Sequence, residues 1–270
     1  MNVCRESLAV TIAAFIACAV PAQADDASPW IDDLHSSLRL IGGGEMRAGV
    51  EIKLKPGWHT YWRYPGDSGV PPRFSFPGSD NVAAVRVFYP APKAINDETG
   101  TTIGYTDGVI FPLQITPRQP GKPVNLRLTV EYAVCEKLCV PVEAKAALTL
   151  PAGSADTASA LAAAEARVPK PASAAAVSLT ARRVNSAVKP LVFVDLAAPT
   201  GDKVQLFVEG PTPEWALPIP KPAPGAPAGH QYFGFELDGV PPGVDPKGPF
   251  ELTFTIVRVG EPIEVKTRLD

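Results

Sequence analysis

The stretch that decides the fold is VNLRLTVEYAVCEKLCVPVEAKAALTL, which spans residues 124–150. Apolar residues occupy every second position over 124–134, and the same alternation resumes over 140–150. A period of two is typical of a β-strand with one buried face. Because only a short segment separates the two runs, the sequence predicts a long hairpin whose tip carries Cys135 and Cys139 on opposite sides.

Short alternating runs separated by turn residues continue through the chain, which contains 31 prolines and 22 glycines. This composition favours short strands over long helices, and it predicts an all-β protein of two β-sandwich domains. We expect the first sandwich over residues 25–150 and the second over residues 177–270. Residues 151–176 are rich in Ala, Ser and Pro, and we interpret them as a linker with one helix over Ser154–Arg167.

A second pair of runs lies nearer the N-terminus. Residues 47–55 alternate between apolar and charged side chains, and Pro56-Gly57 then leads into an aromatic run over 58–64. The pattern predicts a half-buried hairpin over residues 47–64. Within the aromatic run, alternation places Trp58, Thr60, Trp62 and Tyr64 on one face and His59, Tyr61 and Arg63 on the other, and we expect one of the two faces to be core.

The first 24 residues have the pattern of a secretory signal peptide. An apolar run over 8–20 is too short to span a bilayer, and it is followed by the small-x-small site Ala22-Gln23-Ala24. We therefore expect export and a mature chain that begins at Asp25. A lipoprotein signal ending at Cys18 is disfavoured because Phe15 is a poor fit. Charge, Gly or Pro interrupts every later apolar run, so we expect no transmembrane segment in the mature chain.

Signal cleavage would leave Cys135 and Cys139 as the two cysteines of the mature chain. A chain of this length can bury an adequate core without a disulfide framework, so the pair calls for a specific reason. Thiol–disulfide exchange is one interpretation, because a hairpin tip gives an incoming thiolate access to sulfur. A structural staple is the other, since closing a five-residue ring would contribute about 2 kcal/mol. The spacing alone leaves both open.

Several other classes of function are disfavoured. Lys and Arg number 25 against 28 Asp and Glu, and without a basic run this balance argues against a nucleic-acid partner. The three histidines show no zinc-ligand spacing to the cysteines or to one another, so we expect no metal site and no cofactor. The sequence contains no phosphate-binding loop, serine-hydrolase elbow or zinc-protease motif.

Three segments together resemble a known family. They are YAVCEKLCVPVEA at 132–144, GWHTYWR at 57–63 and PGDSG at 65–69. These residues are similar to the N-terminal periplasmic region of the DsbD and ScsB disulfide reductases, and most similar to the ScsB branch. The resemblance covers residues 30–150 and extends more loosely over the second domain. It implies a periplasmic location and immunoglobulin-like sandwiches.

The resemblance implies that Cys135 and Cys139 are the catalytic pair of a thiol:disulfide oxidoreductase of the protein-disulfide reductase type. Such a protein relays electrons between a membrane-embedded thiol transporter, like DsbD or CcdA, and periplasmic thioredoxin-like or other substrate proteins. The chain to Asp270 contains neither a transporter nor a thioredoxin-like domain, so we expect a stand-alone protein with a separate electron donor. The alternative is a non-catalytic periplasmic binding or assembly protein with a structural Cys135–Cys139 disulfide.

The resemblance also assigns residues around the pair. Tyr61 aligns with an aromatic residue beside the cysteines. Glu136 and Lys137 lie between the cysteines, where the positive charge of Lys137 would favour a thiolate and the negative charge of Glu136 would oppose it.

A cap over the pair is a further implication. Asp97 and Glu98 fall in the loop that covers the cysteines in DsbD. Thr99 stands where the resemblance leads us to expect a shielding aromatic residue, which leaves Ile95 or Ile103 as substitutes.

Overall fold

The computed structural model describes residues 25–66, 69–97, 100–184, 189–199 and 201–270. The signal peptide expected over residues 1–24 lies outside these ranges. Within them the chain is all-β, with two immunoglobulin-like sandwiches and one helix. That helix is not long and apolar enough to cross a membrane.

The first sandwich is built from eleven strands in the described residues. They are β1 (Ile31–Asp32), β2 (Ser36–Gly42), β3 (Arg47–Leu54), β4 (His59–Gly66), β5 (Arg73–Ser75), β6 (Val82–Val87), β7 (Lys93–Asp97), β8 (Gly100–Thr106), β9 (Gly108–Pro117), β10 (Val124–Cys135) and β11 (Cys139–Leu150). One sheet has the order β1-β2-β3-β9-β6. The other has the order β11-β10-β4-β8-β7, with β5 paired to β10. Their facing sides enclose a core that includes Trp62 and Phe111, both fully buried.

Strands β10 and β11 form the long hairpin that the alternation predicts. Their antiparallel ladder runs without a break from Val124 opposite Leu150 to Cys135 opposite Cys139. The alternating residues of the two strands bury their side chains in the core of the first sandwich. Because side chains alternate between faces with a period of two, this burial determines the register of the whole ladder.

The prediction of a hairpin over residues 47–64 is wrong. Strand β3 pairs with β2 and β9 in one sheet, whereas β4 pairs with β10 and β8 in the other. The turn between them, closed by a hydrogen bond from the Trp58 amide to the Lys55 carbonyl, carries the chain from one sheet to the other. Alternation reports that each strand buries one face, but it does not report which strand is the partner.

The helix α1 (Ala155–Glu165) lies within the segment predicted as a linker. Ser154 caps it, with its hydroxyl accepting a hydrogen bond from the Thr157 amide. The helix packs on the first sandwich rather than standing free. Leu161 is fully buried, and it lies so close to Gly43 that a Cβ added there would be 2.2 Å from a Leu161 methyl carbon.

The second sandwich is built from eight strands in the described residues. They are β12 (Lys170–Ser173), β13 (Leu179–Val184), β14 (Leu191–Ala197), β15 (Gln205–Glu209), β16 (Lys221–Ala223), β17 (His230–Glu236), β18 (Phe250–Val257) and β19 (Ile263–Leu269). The sheets have the orders β12-β19-β18-β15 and β13-β14-β17-β16. Strand β12 precedes residue 177, where we expect the second domain to begin, and it pairs in parallel with β19.

Candidate thiol–disulfide site

The two cysteines form a disulfide at the turn end of the β10–β11 ladder. Cys135 is the last residue of β10 and Cys139 the first of β11, with Cα atoms 4.2 Å apart. Their exposure differs. Cys135 is buried, with 8% of its surface exposed, whereas Cys139 and the three residues of the turn are exposed. An incoming group therefore reaches the Cys139 side of the bond more readily.

The buried side of the pair rests on the outer face of its sheet. Cys135 lies opposite His59 of β4 in the ladder, and Cys135, Ala133 and Tyr61 form a small buried apolar cluster outside the main core. Thr60 ties the strands together beside this cluster, because its hydroxyl donates to the Ala133 carbonyl at 2.8 Å. Alternation divides the run into two faces, and the structure shows that the face of Trp62 enters the main core while His59 and Tyr61 share the opposite face.

Tyr61 is the side chain that contacts the disulfide through a polar atom. Its phenol oxygen lies 3.0 Å from Cys139 Sγ, and the ring is 1 % exposed. A disulfide sulfur carries no proton, so the phenol is the donor in this contact. His59 packs edge-on against the Tyr61 ring, with centroids 5.6 Å apart. The ring and its neighbours thus hold a hydrogen-bond donor against one sulfur of the pair.

Gly69 is a residue whose role the sequence did not reveal. A Cβ at this position would lie 2.4 Å from Tyr61 Cε1, a separation that real Cβ atoms do not show. The backbone φ of Gly69 is +148°, which side-chain-bearing residues rarely adopt. The PGDSG segment at 65–69 supplies the signal, since a glycine in a turn-rich segment can mark a close approach to another group.

The charged residues of the turn lie beside the cysteines but are solvated. Glu136, Lys137 and Leu138 are all exposed, and Leu138 is 73 % exposed. The Glu136 carboxylate leans towards Gly57, where an added Cβ would lie 2.9 Å from Oε1. Water screens exposed charges strongly, so Glu136 and Lys137 each have only a weak influence on the sulfurs.

The structure describes only part of the expected cap. Asp97 ends β7, where its backbone pairs with Gly100 of β8, and both Glu98 and Thr99 lie outside the described residues. Ile103 cannot be the shield, because it is 1 % exposed within the main core. Ile95 is half-buried and lies opposite Thr102 in the ladder. The neighbouring pair, Ala94 and Ile103, faces the core, so the side chain of Ile95 lies on the opposite face of the sheet. Ile95 thus shares the outer face of the sheet with the cysteines.

Within the described ranges, no three His, Cys, Asp or Glu side chains gather closely enough to hold a metal ion. The arrangement itself offers thiol–disulfide chemistry at the sulfur pair. Cys139 is exposed, Cys135 is buried, and a phenol donates to the sulfur of Cys139.

Comparison with known proteins agrees with this fold. Residues 37–151 match the family described as "Thiol:disulfide interchange protein DsbD, N-terminal". Among solved structures, the chain is similar to the N-terminal periplasmic domain of ScsB from Proteus mirabilis, with a TM-score of 0.72 and 22% sequence identity. That similarity covers 91% of this chain and 99% of the other. No curated protein sequence matches the chain significantly. The first sandwich is therefore similar to the N-terminal domain of the DsbD family, and the overall fold is like that of the ScsB N-terminal periplasmic domain.

Proposed function

We propose that this protein is a periplasmic thiol–disulfide exchange protein, with Cys135 and Cys139 as its redox pair. The observation that carries the proposal is the asymmetry of the disulfide. Cys139 is exposed and receives a hydrogen bond from Tyr61, whereas Cys135 is buried against Ala133 and Tyr61. A bond that served only as a staple would need neither an accessible sulfur nor a donor directed at it.

The exchange proceeds in two balanced steps. A partner thiolate attacks Cys139 Sγ, the Cys135–Cys139 bond breaks, and Cys135 leaves as a thiolate that takes up a proton. The partner's second thiolate then attacks the partner sulfur of the mixed disulfide, and Cys139 leaves as a thiolate that also takes up a proton. The pair has gained two electrons and two protons, and the partner dithiol has become a disulfide. The reverse sequence passes the electrons to an oxidised substrate.

Tyr61 favours the second step, in which Cys139 is released, because negative charge then develops on Cys139 Sγ. The phenol donates to Cys139, and the same donor interacts more strongly with a thiolate than with a neutral disulfide sulfur. The reduced state therefore gains more from Tyr61 than the oxidised state does.

The family supports periplasmic exchange, and the partners are our further proposal. The electron donor is a membrane-embedded thiol transporter of the DsbD or CcdA kind, and the acceptors are periplasmic thioredoxin-like proteins. Such partners present a cysteine at an exposed position, which is what an accessible Cys139 requires.

Single-cysteine variants test the proposal. Cys135→Ser leaves the exposed Cys139 without a resolving thiol, so we expect a mixed disulfide with a partner to accumulate on non-reducing gels of cells that express it. Cys139→Ser leaves only the buried Cys135, and we expect much less of this adduct. The reduction potential of the wild-type pair should lie above about −300 mV, the range of exchangeable bonds.

The staple interpretation predicts the opposite results. Neither single variant would trap a partner, and the potential would lie below about −300 mV. That combination would eliminate electron transfer as the function and leave a binding or assembly protein.

A further inference from the structure

Strand β4 makes two sets of contacts within six residues. Residues 59–61 form the redox site, whereas the next three side chains all contact the second sandwich. Their partners are Phe207 for Trp62, with ring centroids 6.0 Å apart, Glu209 and Glu264 for Arg63, and the Leu217 carbonyl for Tyr64. The site and the domain contact are therefore consecutive on one strand.

The pairing of β4 inside its own sheet is irregular where these contacts begin. The ladder with β8 is regular from His59 to Tyr61, which lies opposite Gly104, and the next pair is Gly66 opposite Thr102. Between Tyr61 and Gly66 the register shifts, so this part of the strand lacks the regular ladder that fixes its neighbours. The contacts with the second sandwich fall within this irregular stretch.

Arg63 provides the strongest of these contacts. Its Nε and Nη2 donate to the two carboxylate oxygens of Glu209 at 2.9 and 2.7 Å, and Nη2 also donates to Glu264. The side chains of Arg63 and Glu209 are 28% and 18% exposed, so the pair is partly removed from water. Burial disfavours the charge on Arg63, but the hydrogen bonds and charges of Glu209 and Glu264 outweigh it and raise the guanidinium pKa. A two-point contact of this kind fixes orientation as well as distance.

The second sandwich also lies beside the β7–β8 hairpin, from which the expected cap extends. Ala94, Asn96 and Thr101 of the hairpin line a groove of about 330 Å³ together with Leu206 and Phe207 of β15. The second domain thus adjoins both β4 and the β7–β8 hairpin, and it meets the hairpin on the face that carries Ala94.

We propose that the second domain positions the redox site, with Arg63 as a positioning residue that acts through Tyr61. Anchoring of β4 at Arg63 by Glu209 and Glu264 holds the preceding residues of the strand in place, and with them the phenol at Cys139 Sγ. This inference rests on the proposed exchange function, because the contact between the Tyr61 phenol and Cys139 Sγ affects the balance between the reduced and oxidised states of the pair.

The test uses the mature chain and the double substitution Glu209→Gln and Glu264→Gln. The amides keep hydrogen-bonding capacity but remove both charges that hold Arg63. We expect the equilibrium constant for reduction of the pair by dithiothreitol to fall about threefold, which corresponds to a potential about 14 mV lower. Glu51→Gln is the matched control, because the Arg39–Glu51 pair has nearly the same exposure, 27% and 16%, and lies in the other sheet of the first sandwich. It should leave the potential unchanged.

Two further measurements separate positioning from other effects. If the two removed negative charges acted directly through space, their loss would favour the thiolate and raise the potential. That shift is opposite in sign to the fall expected from positioning. In a Tyr61→Phe background, the double substitution should have no further effect, because the contact through which it acts has gone. If the double variant does not fold, Glu264→Gln alone keeps the Glu209 hydrogen bonds and should shift the equilibrium in the same direction by less.

The proposal is overturned if the double or single variant has the wild-type potential, if the potential rises, or if the shift persists in the Tyr61→Phe background. Failure of the proposed function gives a different result. The pair would then trap no partner in Cys135→Ser, while the dithiothreitol equilibrium would still report whether the second domain positions Tyr61.

Discussion

Tyr61→Phe should make the Cys135–Cys139 pair harder to reduce without altering the fold. The substitution removes only the phenol oxygen that lies 3.0 Å from Cys139 Sγ, while the ring stays against His59. Reduction creates a thiol in equilibrium with its thiolate, and the thiolate is the form that the phenol stabilises most. The variant therefore loses stabilisation of the reduced state.

The size of the effect follows from the difference between a hydrogen bond to a charged acceptor and one to a neutral acceptor. A hydrogen bond to a charged group contributes about 1.5–3 kcal/mol, whereas one to a neutral acceptor contributes about 0.5–1.5 kcal/mol. The difference between the reduced and oxidised states is thus about 1.4 kcal/mol. Measured at a pH at which the reduced Cys139 is ionised, this corresponds for a two-electron couple to a reduction potential about 30 mV lower and to a tenfold change in the equilibrium constant. The bimolecular rate of alkylation of reduced Cys139 at neutral pH should fall in parallel.

Equilibration with dithiothreitol, followed by alkylation and gel analysis, measures the potential. Tyr105→Phe is the control, because Tyr105 lies on β8, the strand next to β4. Its hydroxyl donates to the Pro90 carbonyl at 2.7 Å rather than to a sulfur. That variant should lower the melting temperature and leave the potential unchanged. A Tyr61→Phe potential within about 5 mV of the wild type, less than a fifth of the expected shift, would refute the reasoning.

Three further predictions concern the rest of the chain. Replacing both Cys135 and Cys139 by Ser should cost well below about 2 kcal/mol of unfolding free energy in denaturant titrations, because the two strands already pair along a complete ladder; a loss of about 2 kcal/mol or more would favour the staple. Leu161→Ala should destabilise the first domain by about 2–5 kcal/mol in the same assay, because the side chain is fully buried where the helix docks, and an unchanged free energy would show that the helix is not docked. N-terminal sequencing of the exported protein should begin at Asp25, whereas a lipid-modified Cys18 would show that the signal was misread.

The β10–β11 hairpin could be predicted from the sequence because it is a local feature. Alternation with a period of two, interrupted by three residues, leaves one register in which both strands bury their apolar faces. The position of Cys135 opposite Cys139 follows from that register. The resemblance added Tyr61, which alternation alone separated from Trp62 but did not place beside a particular sulfur.

Strand pairing between distant segments could not be predicted in this way. Residues 47–55 and 58–64 have the alternation of a hairpin, yet β3 and β4 lie in different sheets. Each run shows only that its strand has one buried face, and many partners could cover such a face. The cap residue Ile103 was misassigned for the same reason, since its place in the core depends on a ladder with β7 and β4.

The sequence by itself determined that this protein is all-β and that Cys135 and Cys139 face each other across a hairpin tip, because period-two burial and a three-residue turn act over short distances along the chain. Only the tertiary structure decided which sulfur is exposed, which side chain donates to it, and that Arg63 meets Glu209 and Glu264, which are 146 and 201 residues away. Such contacts arise when separate strands pack against each other, and their free energy depends on burial and geometry that no local pattern encodes.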